Sequence, residues 1–200
     1  FDYLLFDCCR GRPEICFPLS TAPDPAPKTA TGAKYTVLFL CTGNSARSIF
    51  AEAILREVAG DRFEARSAGT RPATRNNPIT LQVLKDKGHD VSGLHPKDVS
   101  GVASPNASHF DFVFTVCNQA ANEECPAWEG QPVTGHWGVP DPVGVGGSED
   151  QKRRAFEEAY AALKHRIDRF VAFDIGALDR LALQGLIDDI KDDYPAAYTL

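Results

Sequence analysis

The chain has 200 residues, 43% hydrophobic and 24% charged, a composition that suits one globular domain with an adequate core. A formal net charge of −6 argues against general binding to nucleic acid or anionic membranes, and no apolar run approaches the ~18 residues a membrane span needs. Six cysteines are too few and too scattered for a secreted disulfide scaffold, so catalytic, redox-active or buried thiols in a reducing, cytoplasmic setting are expected.

Residues 1–33 stand apart. Pro13, Pro18, Pro23, Pro25 and Pro27 punctuate them, and Ser20-Thr21-Ala22-Pro23-Asp24-Pro25-Ala26-Pro27 is linker-like. A poorly ordered tail is expected there. Its Cys8, Cys9 and Cys16 read as adventitious rather than metal-binding, since no C-x2-C pair or nearby His accompanies them. The opening Phe1 to Asp7 is too short and too acidic for a signal peptide, and a chain that starts with Phe and lacks Met reads as a fragment or an upstream-extended translation. The domain is expected over 34–193, with 194–200 as a C-terminal tail.

An apolar run at 35–40 predicts a first strand, and 48–59 a first helix that stops at Gly60. Phe63-Glu64-Ala65-Arg66-Ser67 alternates apolar and polar, as a second strand does. Asn77-Pro78 opens a second helix, with Asn as cap and Pro in the first turn, and Gly88 ends it. Phe110–Val116 is dense in strand formers, and Val133–Trp137 predicts a shorter fourth strand. Ser148-Glu149-Asp150-Gln151 is a capping box for a long helix whose Phe156, Tyr160, Leu163, Ile167 and Phe170 recur at helical spacing. A last helix is expected near 176–191 through Leu178, Leu181, Leu186 and Ile190. Strands alternating with helices predict an α/β fold: a three-layer, doubly wound, four-stranded parallel sheet that binds ligands at the carboxyl ends of its strands.

The rest of the chain is organised around Val37-Leu38-Phe39-Leu40-Cys41-Thr42-Gly43-Asn44-Ser45-Ala46-Arg47-Ser48. Strand, short loop and helix turn successive backbone N–H groups toward one point, and the helix N-terminus adds partial positive charge. Cys41 and Arg47 bracket the loop at C-x5-R spacing. Thr42, Gly43, Asn44, Ser45, Ala46, Arg47 and Ser48 are thereby candidates to cradle a tetrahedral oxyanion, with the Cys41 sulfur beneath it and the Arg47 guanidinium forked over two oxygens. The same field is expected to lower the Cys41 pKa from about 8.5 to roughly 4–7, with Ser48 donating a hydrogen bond to the thiolate. The plain alternative is a buried strand-end cysteine with a surface arginine six residues on.

Two more constellations bear on this loop. The third strand runs into Val116-Cys117-Asn118-Gln119-Ala120-Ala121-Asn122-Glu123-Glu124-Cys125-Pro126. In a parallel sheet its end lies beside the loop after the first strand, so Cys117 is placed to approach Cys41; two unrelated cysteines are the alternative. Asp141 sits between Pro140 and Pro142, in a loop that proline stiffens. A carboxyl held over the loop would protonate a departing oxygen, where an ordinary turn aspartate would do nothing. His89, His95, His109, His136 and His165 show no ligand spacing and read as structural or surface residues.

Cys-Thr-Gly-Asn-Ser-Ala-Arg-Ser at 41–48 resembles the phosphate-binding loop of low-molecular-weight protein tyrosine phosphatases, and more closely that of the arsenate reductases built on the same flavodoxin-like topology. The likeness covers roughly 35–190. Phosphatases of this fold carry an acid in a corresponding Asp-Pro loop, followed by tyrosines that wall a pocket for an aromatic ring. Here Val143-Gly144-Val145-Gly146-Gly147 follows instead, and the His-Trp-Gly…Asp-Pro phrasing resembles that of the reductases. Thioredoxin-coupled reductases carry two further Cys after the third strand. The resemblance therefore implies that Cys41 attacks arsenate, and that Cys117 then attacks Cys41, releasing arsenite and leaving a disulfide. Cys125 would move that disulfide outward, to Cys117–Cys125, for an external thiol reductant, thioredoxin or glutathione with glutaredoxin. Seven residues separate Cys117 from Cys125, one more than the best-known members lead one to expect.

No tightly bound cofactor and a monomer are expected, and the oligomeric state is left open by the sequence. Some relatives bind potassium near an Asn, a Glu and a Ser, which Asn44, Glu52 and Ser67 match, although Glu52 reads equally as an exposed helix residue. Two other functions stay open: a phosphatase acting on phosphotyrosine or small phosphate esters, and a non-enzymatic oxyanion or redox sensor.

Overall fold

The computed structural model describes residues 32–102, 109–121, 128 and 130–190. Cys8, Cys9, Cys16 and Cys125 lie outside the described residues, as do most of the expected N-terminal tail and the C-terminal tail. Four parallel strands, β1 (Tyr35–Cys41), β2 (Phe63–Gly69), β3 (Phe112–Thr115) and β4 (Val133–His136), form one sheet in the order β2-β1-β3-β4. The order reverses between β1 and β3, which is where sheets of this kind leave a crevice at their carboxyl ends. Cys41 ends β1 in that crevice, and Cys117 follows β3 beside it.

Side chains of β1 alternate between two apolar clusters, as the period of two requires. Val37, Phe39 and Cys41 belong to the larger one, while Leu38 and Leu40 join Ala68, Phe110 and Val113 on the other face, under Val99, Val102 and Trp128. The larger cluster is covered by α1 (Arg47–Ala59), α2 (Pro78–Asp86), α5 (Glu149–Val171) and α6 (Arg180–Ile190); single turns α3 (Val99–Val102) and α4 (Asn118–Ala121) complete the described helices. No helix among the described residues is long and apolar enough to cross a membrane.

Local signals placed most of these boundaries. The Asn77 side chain accepts from the Ile79 amide at 2.9 Å ahead of α2, and Gly88 takes a φ of +87° just past its end. Ser148 and Gln151 cap α5 reciprocally. All five apolar residues expected along α5 are buried.

One stop falls where it was expected but works by a different means, and one start differs. Gly60 ends α1 in the right-handed region, and its need for glycine is one of space: a Cβ there would lie 2.3 Å from the Arg56 carbonyl oxygen. The last helix starts at Arg180 rather than near 176, because Asp179 accepts from the Ala182 amide at 2.8 Å and Leu178 is extended. Its buried face is Leu183, Ile187 and Ile190, whereas Leu181 is 78% exposed. A single 3-10 turn at Ile175–Ala177 precedes it.

Trp137 is fully buried and stacks on Phe114 with ring centroids 3.8 Å apart, against Phe39 and Phe170. It anchors the segment that leads from β4 into the Asp141 loop. Trp137→Ala is expected to cost about 3–5 kcal/mol in urea unfolding, since a large-to-small change here leaves a cavity the sheet cannot close.

Candidate active site

The loop after β1 is held open by hydrogen bonds made on its outer side. The carbonyls of Cys41, Thr42, Gly43 and Ser45 accept from the amides of Thr70, Arg71, Ala73 and Asn77, at 3.2, 3.0, 2.8 and 3.1 Å. In a trans peptide the N–H points opposite to the C=O. The amides of Thr42, Gly43, Asn44 and Ala46 are therefore turned inward, over the sulfur. The Asn44 amide donates to Cys41 Sγ at 3.0 Å. At the head of α1, Ala46 offers no capping side chain, and the first turn holds no acidic residue. Orphan amides and the positive end of the helix dipole are left facing the same concavity.

Asn44 makes the turn possible. Its φ is +44°, a left-handed conformation that Asn tolerates better than most residues. Its side chain is fully committed: Oδ1 accepts from the Lys97 amide at 2.7 Å, and Nδ2 donates to Ser48 Oγ and Ser67 Oγ, both at 2.8 Å. Because Ser48 Oγ accepts from Asn44, its own proton is free for Cys41 Sγ, 2.8 Å away. Gly69, at the end of β2, lets the two chains approach: a Cβ there would sit 2.5 Å from the Thr42 carbonyl oxygen.

The electrostatics overturn one expectation. Burial pushes the Cys41 thiol up from its ordinary value. The Ser48 hydroxyl lowers it, the nearby Cys117 raises it, and the backbone amides of Asn44 and Ser48 lower it again, without cancelling the burial. The expected drop to a thiolate fails because the sulfur lies inside the larger core cluster, where the charged form loses its hydration. The Ser48 hydrogen bond then limits the rise. A hydrogen bond to a charged group is worth about 1.5–3 kcal/mol, so Ser48→Ala should cut the thiolate fraction at neutral pH about tenfold or more. Its iodoacetamide alkylation profile should move to higher pH; an unshifted profile would remove Ser48 from this role.

Arg47 and Asp141 meet at the mouth. Arg47 Nη2 lies 3.2 Å from Asp141 Oδ1, with the Arg47 side chain 14% and the Asp141 side chain 52% exposed. Asp141 also accepts from the Val143 amide at 3.2 Å. Arginines grip three successive carbonyls ahead of it. Arg166, buried on α5, donates to Trp137 O at 2.9 Å and Gly138 O at 3.1 Å, and Arg47 donates to Val139 O at 3.1 Å. The Asp141 loop is thus tied both to the cysteine loop and to α5. Sequence reasoning missed Arg166, since nothing local marks a helix arginine as turned inward.

Cys117 is buried at the adjoining strand end. Leu40 pairs with Thr115, the Val116 amide donates to Leu40 O at 2.8 Å, and Cys117 Sγ lies 3.7 Å from Thr42 Oγ1. The Ala120 amide donates to the same sulfur at 3.3 Å. His136 hydrogen-bonds Thr115 Oγ1 at 2.7 Å and Asn118 Oδ1 at 3.1 Å, and His89 bonds Tyr160 Oη at 2.6 Å, both as structural residues. Glu52, which also reads as an exposed helix residue, is in fact fully buried.

The fold and this loop define a class of α/β protein in which a cysteine sits beneath inward-turned amides at the head of a helix. The sequence profile of the family described as "Low molecular weight phosphotyrosine protein phosphatase" matches residues 36–181. An arsenate reductase of Bacillus licheniformis is 35% identical over 138 residues, covering 68% of this chain and 95% of its own. A solved structure described as an arsenate reductase in the phosphate binding state superposes with a TM-score of 0.58 at 25% identity, covering 69% of this chain and 97% of its own. An arsenate reductase from Archaeoglobus fulgidus gives a TM-score of 0.52 at 29% identity, covering 66% and 98%. The chain belongs to the low molecular weight phosphotyrosine protein phosphatase family.

Proposed function

We propose that this protein is an arsenate reductase working through paired thiols. The observation that carries the reading is the position of Cys117, a second buried thiol at the strand end next to Cys41. The relatives named arsenate reductases support it. Ester hydrolysis by Cys41, Arg47 and Asp141 requires no second thiol.

In this reading the inward amides of the loop and Arg47 bind arsenate as a tetrahedral oxyanion. Cys41 adds to arsenic and gives up its thiol proton, and one arsenate hydroxyl takes up a proton and leaves as water, with Asp141 relaying the proton at the mouth. The oxyanion sits where charge develops, so the amides also stabilise the transition state. Cys117 then attacks Cys41 Sγ. The Cys41–arsenic bond breaks, its electron pair stays on arsenic, and the Cys117 proton leaves with the arsenite. Two thiols become one disulfide while As(V) becomes As(III), so the electrons balance. Cys125, outside the described residues, would exchange into this disulfide as the last internal thiol. An external thiol system, thioredoxin or glutathione with glutaredoxin, would complete the cycle for a monomer in the reducing cytoplasm.

One assay tests this: arsenate-dependent NADPH oxidation with each reductant system, beside aryl-phosphate hydrolysis. Arsenate turnover with slow ester hydrolysis is the expected result. Rapid ester hydrolysis with no arsenate turnover would favour the phosphatase reading, for which Cys41, Arg47 and Asp141 already suffice.

A further inference from the structure

Glu52 poses a problem that the reaction does not explain. It lies on α1, one turn past Ser48, with a carboxylate wholly removed from solvent. A buried carboxylate is costly unless charged partners and hydrogen bonds compensate it. Three groups do so. Oε1 pairs with Arg56 Nη2; Oε2 accepts from Ser67 Oγ and, at 3.1 Å, from Lys97 Nζ. Lys97 is itself fixed. Its ammonium donates to His95 O at 2.9 Å, its amide to Asn44 Oδ1 at 2.7 Å, and its carbonyl accepts from the Gly69 amide at 2.8 Å.

These bonds form one continuous path to the nucleophile. Lys97 Nζ donates to Glu52, Ser67 Oγ donates to Glu52, Asn44 Nδ2 donates to Ser67 and to Ser48, and Ser48 Oγ hydrogen-bonds Cys41 Sγ at 2.8 Å. The orientation of Asn44, which sets both the left-handed turn and the Ser48 proton, is held from both ends by Lys97: by its amide directly, and by its ammonium through Glu52 and Ser67.

The family resemblance suggested potassium for Asn44, Glu52 and Ser67. Their oxygens do not fit that ion. Asn44 Oδ1 is taken by the Lys97 amide, Ser67 Oγ both accepts and donates, and the Glu52 carboxylate faces two cationic side chains. Each of these oxygens already has a hydrogen-bond partner, and the single negative charge of Glu52 is met by two cationic side chains, which repel a further cation.

We propose that the Lys97 ammonium is the built-in cation of this site, a positioning residue that keeps Asn44 and Ser48 aimed at Cys41 and makes the cysteine loop independent of potassium. The proposal rests on Cys41 being the nucleophile, and its test reads the thiol directly, so that it stands apart from the arsenate assay. The alkylation rate of Cys41 by iodoacetamide at fixed pH is measured, by peptide mapping, in potassium and in tetramethylammonium buffers. The wild-type rate should be the same in both. Lys97→Met, which keeps the stem and removes the charge, should slow alkylation about fivefold or more as the donor network loosens, while Lys97→Arg should stay near wild type. The proposal is overturned if potassium raises the wild-type rate severalfold, if Lys97→Met alkylates as fast as wild type, or if Met and Arg slow it equally. Should Lys97→Met fail to fold, the wild-type comparison between the two buffers still decides it.

Discussion

Cys41→Ser should abolish arsenate turnover, and any hydrolysis of phosphate esters, by on the order of 10⁴–10⁶-fold, the loss expected when a nucleophile that works as part of a unit is removed. The substitution keeps the strand end and the inward amides, because the loop is held by carbonyl bonds from Cys41, Thr42, Gly43 and Ser45 to residues 70–77 and not by the thiol. The protein should therefore still fold and still bind phosphate, which calorimetry would show beside an unchanged unfolding midpoint. Since Ser48 and the Asn44 amide both reach the atom at this position, a hydroxyl fits the same donors. Turnover near the wild-type rate would take Cys41 out of the mechanism and leave it a core cysteine.

Cys117→Ser separates reduction from hydrolysis. Ester hydrolysis requires a nucleophile, an anion cradle and an acid, and water releases its covalent intermediate. Arsenate reduction requires two electrons, which in the proposed relay come from Cys41 and Cys117 together. Cys117→Ser should thus stop arsenate reduction, to below about 1% of wild type, while ester hydrolysis persists. β1 and β3 are neighbours with Leu40 opposite Thr115, so Cys41 and Cys117 stand at adjoining strand ends. Cys125→Ser should allow about one turnover and trap a Cys41–Cys117 disulfide, visible by peptide mass mapping. Full multiple turnover by Cys117→Ser would mean that an external thiol attacks the arsenic adduct directly.

Both predictions draw on residues whose placement was legible along the chain. Cys41, Arg47 and Ser48 lie within eight positions, so strand, loop and helix bring them together by local geometry. The Asn77-Pro78 helix start and the Ser148 capping box were equally local, because a cap satisfies amides two or three residues away. Cys117 needed one further step: that strands of a parallel sheet end on the same side. Where a residue's part depends on a distant element, the sequence was silent or misleading. Leu181 carries the right spacing for a core position, yet α6 begins late, at the Asp179 cap, and turns Leu183, Ile187 and Ile190 inward instead.

The sequence by itself determined the order of strands and helices, the cysteine loop with its arginine, and the family, because short-range propensities, caps and an eight-residue motif carry that information. Tertiary structure alone decided how the loop is powered. Burial of Cys41 in the core raises a thiol that its neighbours in sequence were expected to acidify. Lys97 and Glu52, forty-five positions apart, meet beneath Asn44, and Arg166 reaches across from α5 to hold the carbonyls of Trp137 and Gly138. Desolvation and ion pairing depend on which surfaces close over a group, and that is settled only when the whole chain has packed.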